Sequence, residues 1–210
     1  VYFAPEDRGR RPGFPTVLQH LADLWADDSD RVRDQSEQMI TALAEQMAPV
    51  PNEEDLPWEY LRDEALTGFS ESYDSRHGGF DPGEKFPSGP TLELLLDLAV
   101  THPEIARREH AREMLTTTLE AIATQGLHDH VGGGFHRYTV DAAWGVPHFE
   151  KMLFDQAQIA HAMLSAWQLT ERSEFRSAAE SALNYVRDRL THPDGGFYSA
   201  EDAVSLPTVD

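Results

Sequence analysis

The sequence predicts a mainly α-helical fold, part of an α/α toroid preceded by a separate N-terminal unit. Two observations carry the helical part. Gly-Gly-Phe recurs at Gly78-Gly79-Phe80, Gly133-Gly134-Phe135 and Gly195-Gly196-Phe197, in steps of 55 and 62 residues, and self-similarity at a long period marks stacked supersecondary units. The intervening helices alternate between amphipathic and nearly all-apolar, the signature of half-exposed helices around buried ones.

Residues 1–12 read as a strand end and a polar turn, broken by Pro5 and the Gly9–Gly13 region. From Phe14 to Trp25, Val17, Leu18, Leu21, Leu24 and Trp25 fall at helical spacing. Asp28 or Ser29 caps a second helix to about Met47, with Val32, Met39, Ile40 and Leu43 on its buried stripe. Two prolines in Ala48-Pro49-Val50-Pro51-Asn52 disfavour helix on both sides, which sets a boundary between a domain over 1–48 and another over 53–210.

Beyond it, helices are predicted at 54–73, 90–101, 105–125, 149–169 and 173–190. Short links at 101–103 and 170–172 alternate with long ones at 74–89, 126–148 and 191 onward. Short links join antiparallel neighbours, so every long loop emerges at one end. Leu92-Glu93-Leu94-Leu95-Leu96 and the stretch Ile159–Leu169 are apolar nearly all round, placing 90–101 and 149–169 side by side as inner helices. The amphipathic 105–125 and 173–190 then lie outside them.

Composition limits the function. The chain has 210 residues, 40% of them hydrophobic, and a net charge of −20. That charge repels phosphate backbones and anionic lipid, so neither nucleic acid nor membrane is an expected partner. Cysteine is absent, which excludes disulfides and thiolate chemistry within these residues. Val1-Tyr2-Phe3 opens without an initiator Met or a basic leader and reads as mid-strand. The expectation is a segment of a longer cytoplasmic protein, with the remainder of that protein completing the toroid.

The chemistry gathers in the long loops. His128, His130, His136 and His148 lie with Asp129, Arg137, Tyr138, Trp144, Glu150 and Lys151 in the second of them. Histidine titrates near neutrality and serves as acid, base or ligand. A metal reading would use His128 and His130 with Asp129 or Glu150, but no further ligand sits at a diagnostic spacing, and a site without metal or cofactor is preferred. Helical spacing would put His148, Lys151 and Asp155 on one face. They are then either an acid/base group, a cation and a carboxylate, or an ordinary Lys151–Asp155 ion pair with His148 near the helix start.

The lysines are informative. Lys85 and Lys151 are the chain's only two, at matching points after successive Gly-Gly-Phe triplets, where nearly every other cation is Arg. The position needs a compact ammonium for which a planar fork is no substitute. Carboxylates converge from other loops as well: Asp81 and Glu84 beside His77 in the first, Asp194, Glu201 and Asp202 in the third. Paired carboxylates are what glycosidic chemistry requires. Phe80, Phe135, Tyr138, Trp144, Phe197 and Tyr198 offer either flat surfaces for sugar rings or packing between loops. The site expected at the long-loop end therefore takes His130, His148, Glu150, Lys151, Glu84 and Asp155 as catalytic candidates. Lys85, His136, Arg137, Tyr138, Trp144, Glu201 and Asp202 are its binding candidates.

Four stretches carry a resemblance: Gly83-Glu84-Lys85-Phe86-Pro87, Asp129 through Tyr138, Val146 through Leu153, and Gly195 through Ala203. They resemble the thioredoxin-domain-containing proteins related to spermatogenesis-associated protein 20. Tyr2-Phe3, Pro5-Glu6-Asp7 and Arg11 through Pro15 are similar to the end of that family's thioredoxin-like domain; Ala4 and Val204 depart from its pattern. The resemblance implies a mainly α fold, a partial (α/α)6 toroid of the six-hairpin glycosidase and N-acylglucosamine 2-epimerase type preceded by the C-terminal end of a thioredoxin-like α/β domain. Its CxxC-type segment would precede Val1, so no redox activity carries onto these residues. Two functions are then expected: a hydrolase-like or epimerase-like toroid acting on or binding a small sugar-like substrate, or a non-catalytic scaffold attached to a redox domain.

Overall fold

The computed structural model describes residues 3–48 and 56–204. The chain divides into two compact units, Val1–Asp55 and Leu56–Asp210; the proline-containing stretch read as a linker lies, but for Ala48, outside the described residues.

The first unit is a helical hairpin, α1 (Phe14–Asp27) and α2 (Ser29–Met47). Asp28 alone separates them, and its carboxylate accepts the Arg31 N–H at 3.0 Å, capping α2. Asp7 organises the entry to α1, accepting from Gly13 N at 2.6 Å and Thr16 Oγ1 at 2.8 Å. The expected stripe on α2 is present but unburied within this unit: Met39, Ile40 and Leu43 are exposed. Two helices and a turn do not supply enough surface to enclose them.

The second unit holds α3 (Trp58–Ser72), α4 (Gly89–Thr101), α5 (Ile105–Thr124), α6 (Leu153–Thr170) and α7 (Ser173–Arg189), with the two-residue strands β1 (Tyr138–Thr139), β2 (Pro147–His148), β3 (Lys151–Met152) and β4 (Ala200–Glu201). The α4–α5 and α6–α7 hairpins pack side by side, α4 on α6 and α5 on α7. Their short links lie at one end. There His102 is fully buried and its Nε2 meets Asp63 Oδ1 at 3.1 Å, tying the link to α3. Leu92, Leu95, Leu98, Met114, Leu115, Leu119, Ile159, Met163 and Phe175 form the core between the layers.

Two expectations need correction. The inner helices are not apolar on every side: Glu93 and Asp97 of α4 and His161 of α6 are exposed, and His161 Nδ1 lies 3.5 Å from Glu93 Oε1. Glu93 and Asp97, four residues apart, share one stripe, and the stripe facing away from the core carries these charges. The second correction concerns 149–152, which do not open α6. His148 pairs with Tyr138 and Lys151 with Glu201 in two separate antiparallel ladders. His148, Lys151 and Asp155 therefore share no helical face, and Lys151 pairs with Asp129 instead of Asp155.

Candidate active site at the long-loop end

The three Gly-Gly-Phe loops share one backbone design. Both glycines have positive φ in every case, from 74° to 93°, a region that side chains with Cβ resist. Gly79 O, Gly134 O and Gly196 O accept from the N–H of Asp74, Asp129 and His192. Each loop thus closes on its own start, and Phe80, Phe135 and Phe197 bridge back to Tyr73, His128 and Thr191.

In the first two loops the residue at that start is an aspartate, and the chain's two lysines find it. Lys85 Nζ lies 3.0 Å from Asp74 Oδ2, and Lys151 Nζ donates to Asp129 Oδ2 at 2.7 Å. Lys151 also donates to Gly133 O at 2.8 Å and stands 4.3 Å above the Tyr185 ring. Both lysines are buried. Burial pushes Asp129 upward, but Lys151 and the Gly132 and Val131 N–H groups outweigh it and hold the carboxyl well below the usual carboxylate range. Asp74 behaves alike: burial is overcome by Lys85, His77 and Arg76. The sequence candidates Lys85 and Lys151 are therefore clamps. Each ammonium is buried against its aspartate and a loop carbonyl, Asp81 O for Lys85 and Gly133 O for Lys151, and so is closed off from a substrate.

The same strands tie each loop to the next. Lys85 exchanges backbone hydrogen bonds with Thr139 at 3.0 and 2.9 Å, and β3, which starts at Lys151, pairs with β4 of the third loop. Trp144, an expected binding residue, is fully buried; its Nε1 donates to Gly78 O at 3.3 Å, and its ring covers Gly79. It packs the second loop onto the first and is closed off from a ligand.

A different group of candidates is brought together where 136–139 run against 147–150. Arg137 donates to Glu150 Oε2 at 2.8 Å, and its N–H donates to Glu150 O. His148 Nδ1 is 4.0 Å from the same carboxylate oxygen, beyond a hydrogen bond. Phe86, Tyr138 and His148 form a pile of parallel rings with centroids 4.7 and 4.8 Å apart. Both faces of Tyr138 are thus covered, so it cannot stack on a sugar; it holds the His148 ring flat. His136 is buried with its ring edge-on to Phe149 at 5.2 Å. Asp155, in the first turn of α6, is 6% exposed.

Three buried polar atoms here have no hydrogen-bond partner: His136 Nδ1, His148 Nδ1 and Asp155 Oδ2. Native structures rarely leave such atoms unsatisfied without a reason. Burial, opposed by Arg137 and reinforced by Glu150, pushes Asp155 up to about 7. Burial, helped by Lys151, lowers His136. Burial thus favours a protonated carboxyl at Asp155 and a neutral imidazole at His136, groups able both to give and to take protons. Phe149, Phe154 and Phe86 are exposed beside it.

The remaining candidates fall elsewhere. His130 is exposed, its ring 4.4 Å from His128 and its Nε2 3.2 Å from Gln125 O. It lines a cleft of about 510 Å³ with Ser181, Asn184, Tyr185 and Asp188, on the side of α7. His128 uses both ring nitrogens, on Ala123 O and Ser181 Oγ, and has none to spare for a metal. Among the described residues no group of three or more His, Asp or Glu is placed to hold a metal ion. Glu84 is exposed. Glu201 accepts from Tyr185, and Asp202 accepts the Val204 N–H. Gln156 escaped the sequence reading. It is buried and brackets Phe135, accepting its N–H at 2.8 Å and donating to its carbonyl at 2.6 Å. Its only signal is an amide, one of two with Gln158, at the start of an otherwise largely apolar helix.

No protein-family model matches the chain. The chain is 39% identical over 209 residues to "Spermatogenesis-associated protein 20" of Homo sapiens, covering 99% of this chain and 27% of that protein. The Rattus norvegicus protein of the same name is 38% identical, with 99% and 26% covered. An uncharacterized protein of Caenorhabditis elegans is 36% identical over 212 residues, with 99% and 28% covered. The chain thus spans about a quarter of the length of these relatives. Among solved structures, a sugar epimerase from a ruminal bacterium matches with a TM-score of 0.56 at 15% identity, over 70% of this chain and 41% of that one. The cellobiose 2-epimerase from Bacillus thermoamylovorans matches at 0.55 and 14%, with the same coverage. Among the described residues no helix is long and apolar enough to cross a membrane. The chain is thus similar to spermatogenesis-associated protein 20 over about a quarter of that protein's length, is mainly helical, and matches part of the (α/α)6 toroid of the sugar epimerases.

Proposed function

We propose that this segment supplies the acid/base part of a carbohydrate-processing site at the long-loop end of a toroid. Residues 3–48 would be the end of a thioredoxin-like domain, and the rest of the protein would complete the ring. The observation that carries the reading is the unpartnered, buried Asp155 Oδ2 at the start of α6, following a loop in which the Nδ1 atoms of His136 and His148 are unpartnered as well.

Epimerase-like proton transfer fits these residues better than hydrolysis does. A glycosidase needs a second carboxylate as base or nucleophile, and Glu150 is already neutralised by Arg137 at 2.8 Å. Proton transfer at the carbon next to a sugar carbonyl needs a group that removes a proton and a group that returns one. Asp155, titrating near 7, and the imidazole of His148 suit those tasks. His136 would bind a hydroxyl. A non-catalytic scaffold for a redox domain, the rival expectation, has no use for buried polar atoms without partners.

The test is solvent exchange. Full-length protein is incubated with an aldose panel in deuterated water, and loss of the C2–H signal is followed by NMR. Exchange with at least one sugar is expected, falling about 100-fold or more in Asp155→Asn and in His148→Gln, within the range general acid–base groups contribute. Absence of exchange with every sugar, or wild-type rates in both variants, would overturn the assignment.

A further inference from the structure

The character of the three unpartnered atoms also speaks to which sugars they accept, an inference that rests on the carbohydrate reading above. An imidazole nitrogen donates in one tautomer and accepts in the other, and a carboxyl that is readily protonated does the same. A sugar hydroxyl is likewise donor and acceptor at once. A phosphate or carboxylate is acceptor only, and it demands cations or fixed donors.

The cations that act on His136 and Asp155, Lys151 and Arg137, already hold carboxylate partners. The Arg137 guanidinium is hydrogen-bonded to Glu150 at 2.8 Å, and the Lys151 ammonium to Asp129 at 2.7 Å and Gly133 O at 2.8 Å. Asp155 lies buried within the field of both Arg137 and Glu150. An anionic substituent placed against it would add a like charge in a desolvated place, where such repulsion is strong. Exposed Phe149 next to His136, and Phe154 next to Asp155 in sequence, present flat apolar surface. Such surface suits the C–H face of a pyranose, which carries no charge to be solvated.

We infer that Asp155, His136 and His148 recognise the hydroxyl groups of an uncharged sugar, and that Asp155 is the specificity-determining residue that excludes sugar phosphates and sugar acids.

The experiment measures dissociation constants of the full-length protein at pH 8 for glucose, mannose and fructose, against glucose 6-phosphate and glucuronate. Isothermal calorimetry or saturation-transfer NMR serves. Binding of at least one neutral sugar is expected, with its charged counterpart at least about tenfold weaker. In Asp155→Asn that ratio should shrink by about tenfold, because the carboxamide cannot ionise. Charged sugars binding as tightly as neutral ones to the wild type would overturn the inference while leaving the carbohydrate reading intact. No binding of either class would overturn both. An unchanged ratio in the variant would remove Asp155 from the role. The wild-type panel decides the substrate class even if the variant fails to fold.

Discussion

Asp155→Asn should stabilise the protein, and by an amount that depends on pH. The carboxyl is 6% exposed, with Oδ2 unpartnered, and burial raises it from 3.8 to about 7. Between those values the folded chain holds a proton that the unfolded chain has lost. Wild-type stability therefore falls as pH rises from about 4 to 7, and levels off once both states are ionised. Each tenfold difference in proton affinity between the two states corresponds to about 1.36 kcal/mol. From pH 5 to pH 8 the wild type should lose about 2.7 kcal/mol through this one group. Asparagine does not titrate, so fixed differences between the amide and the acid cancel when the two pH values are compared. The advantage of the variant should grow by up to about 2.7 kcal/mol over that interval, or roughly 5–10 °C in Tm for a domain of this size. Differential scanning fluorimetry of both full-length proteins at pH 5, 6, 7 and 8, following the transition of the helical domain, reads it directly. A difference that stays flat, or that shrinks with pH, would refute the claim that Asp155 is held neutral by burial. A substitution that stabilises while abolishing activity would also be the expected behaviour of a strained functional group.

Two further predictions concern the loops. Lys151→Met should cost about 3–5 kcal/mol by leaving the Asp129 carboxylate without its partner. Lys151→Arg should recover little, since a planar fork cannot reach Asp129 and Gly133 O while lying over Tyr185; wild-type denaturant stability in the arginine variant would count against the clamp. Gly196→Ala should cost about 1–2 kcal/mol, the strain of positive φ alone, because nothing lies within 4 Å of an added Cβ. Gly134→Ala should cost about 1–3 kcal/mol more, its Cβ meeting Tyr185 Cγ at 2.7 Å and Gln156 Oε1 at 2.9 Å; equal losses from the two substitutions would contradict the close approach.

The helices were legible because their signals are local. Leu92, Leu95 and Leu98 repeat at helical spacing, and α4, α5 and α7 end within a residue or so of where that spacing places them. The error at 149–152 has a physical origin. Phe149, Met152 and Leu153 mimic a helical stripe, and two-residue ladders leave no periodicity of their own. What fixes those ladders is distant in sequence: Lys151 is held by Asp129, 22 residues earlier, and Glu201 lies 50 residues later. Composition located the candidate site but could not say which side chains face a ligand. Lys85, Lys151 and Trp144 looked like chemistry because they are rare residues in glycine-rich loops. They are rare there because each fills one specific gap. The spacing that would have revealed the clamp was present, since Asp74 and Asp129 each stand four residues before the first glycine of a positive-φ pair.

The repeat also explains how short strands can hold the candidate site to the tolerance that the proposed proton transfer needs. His148 stands on a two-residue strand, and Glu150 stands between two such strands; a strand of that length fixes nothing alone. Each is anchored by a neighbour whose position is over-determined. Phe86 follows the clamped Lys85 and begins the ring pile that ends on His148. Glu150 precedes the clamped Lys151 and receives Arg137 through both side chain and backbone. The clamps thus serve as the supporting shell that a functional constellation requires. The third loop breaks the pattern, with His192 where the first two have aspartate and a closure one residue shorter. The first two loops share a lysine–aspartate lock, the third does not, and every unpartnered atom of the candidate site belongs to the second loop or to the first turn of α6 that follows it.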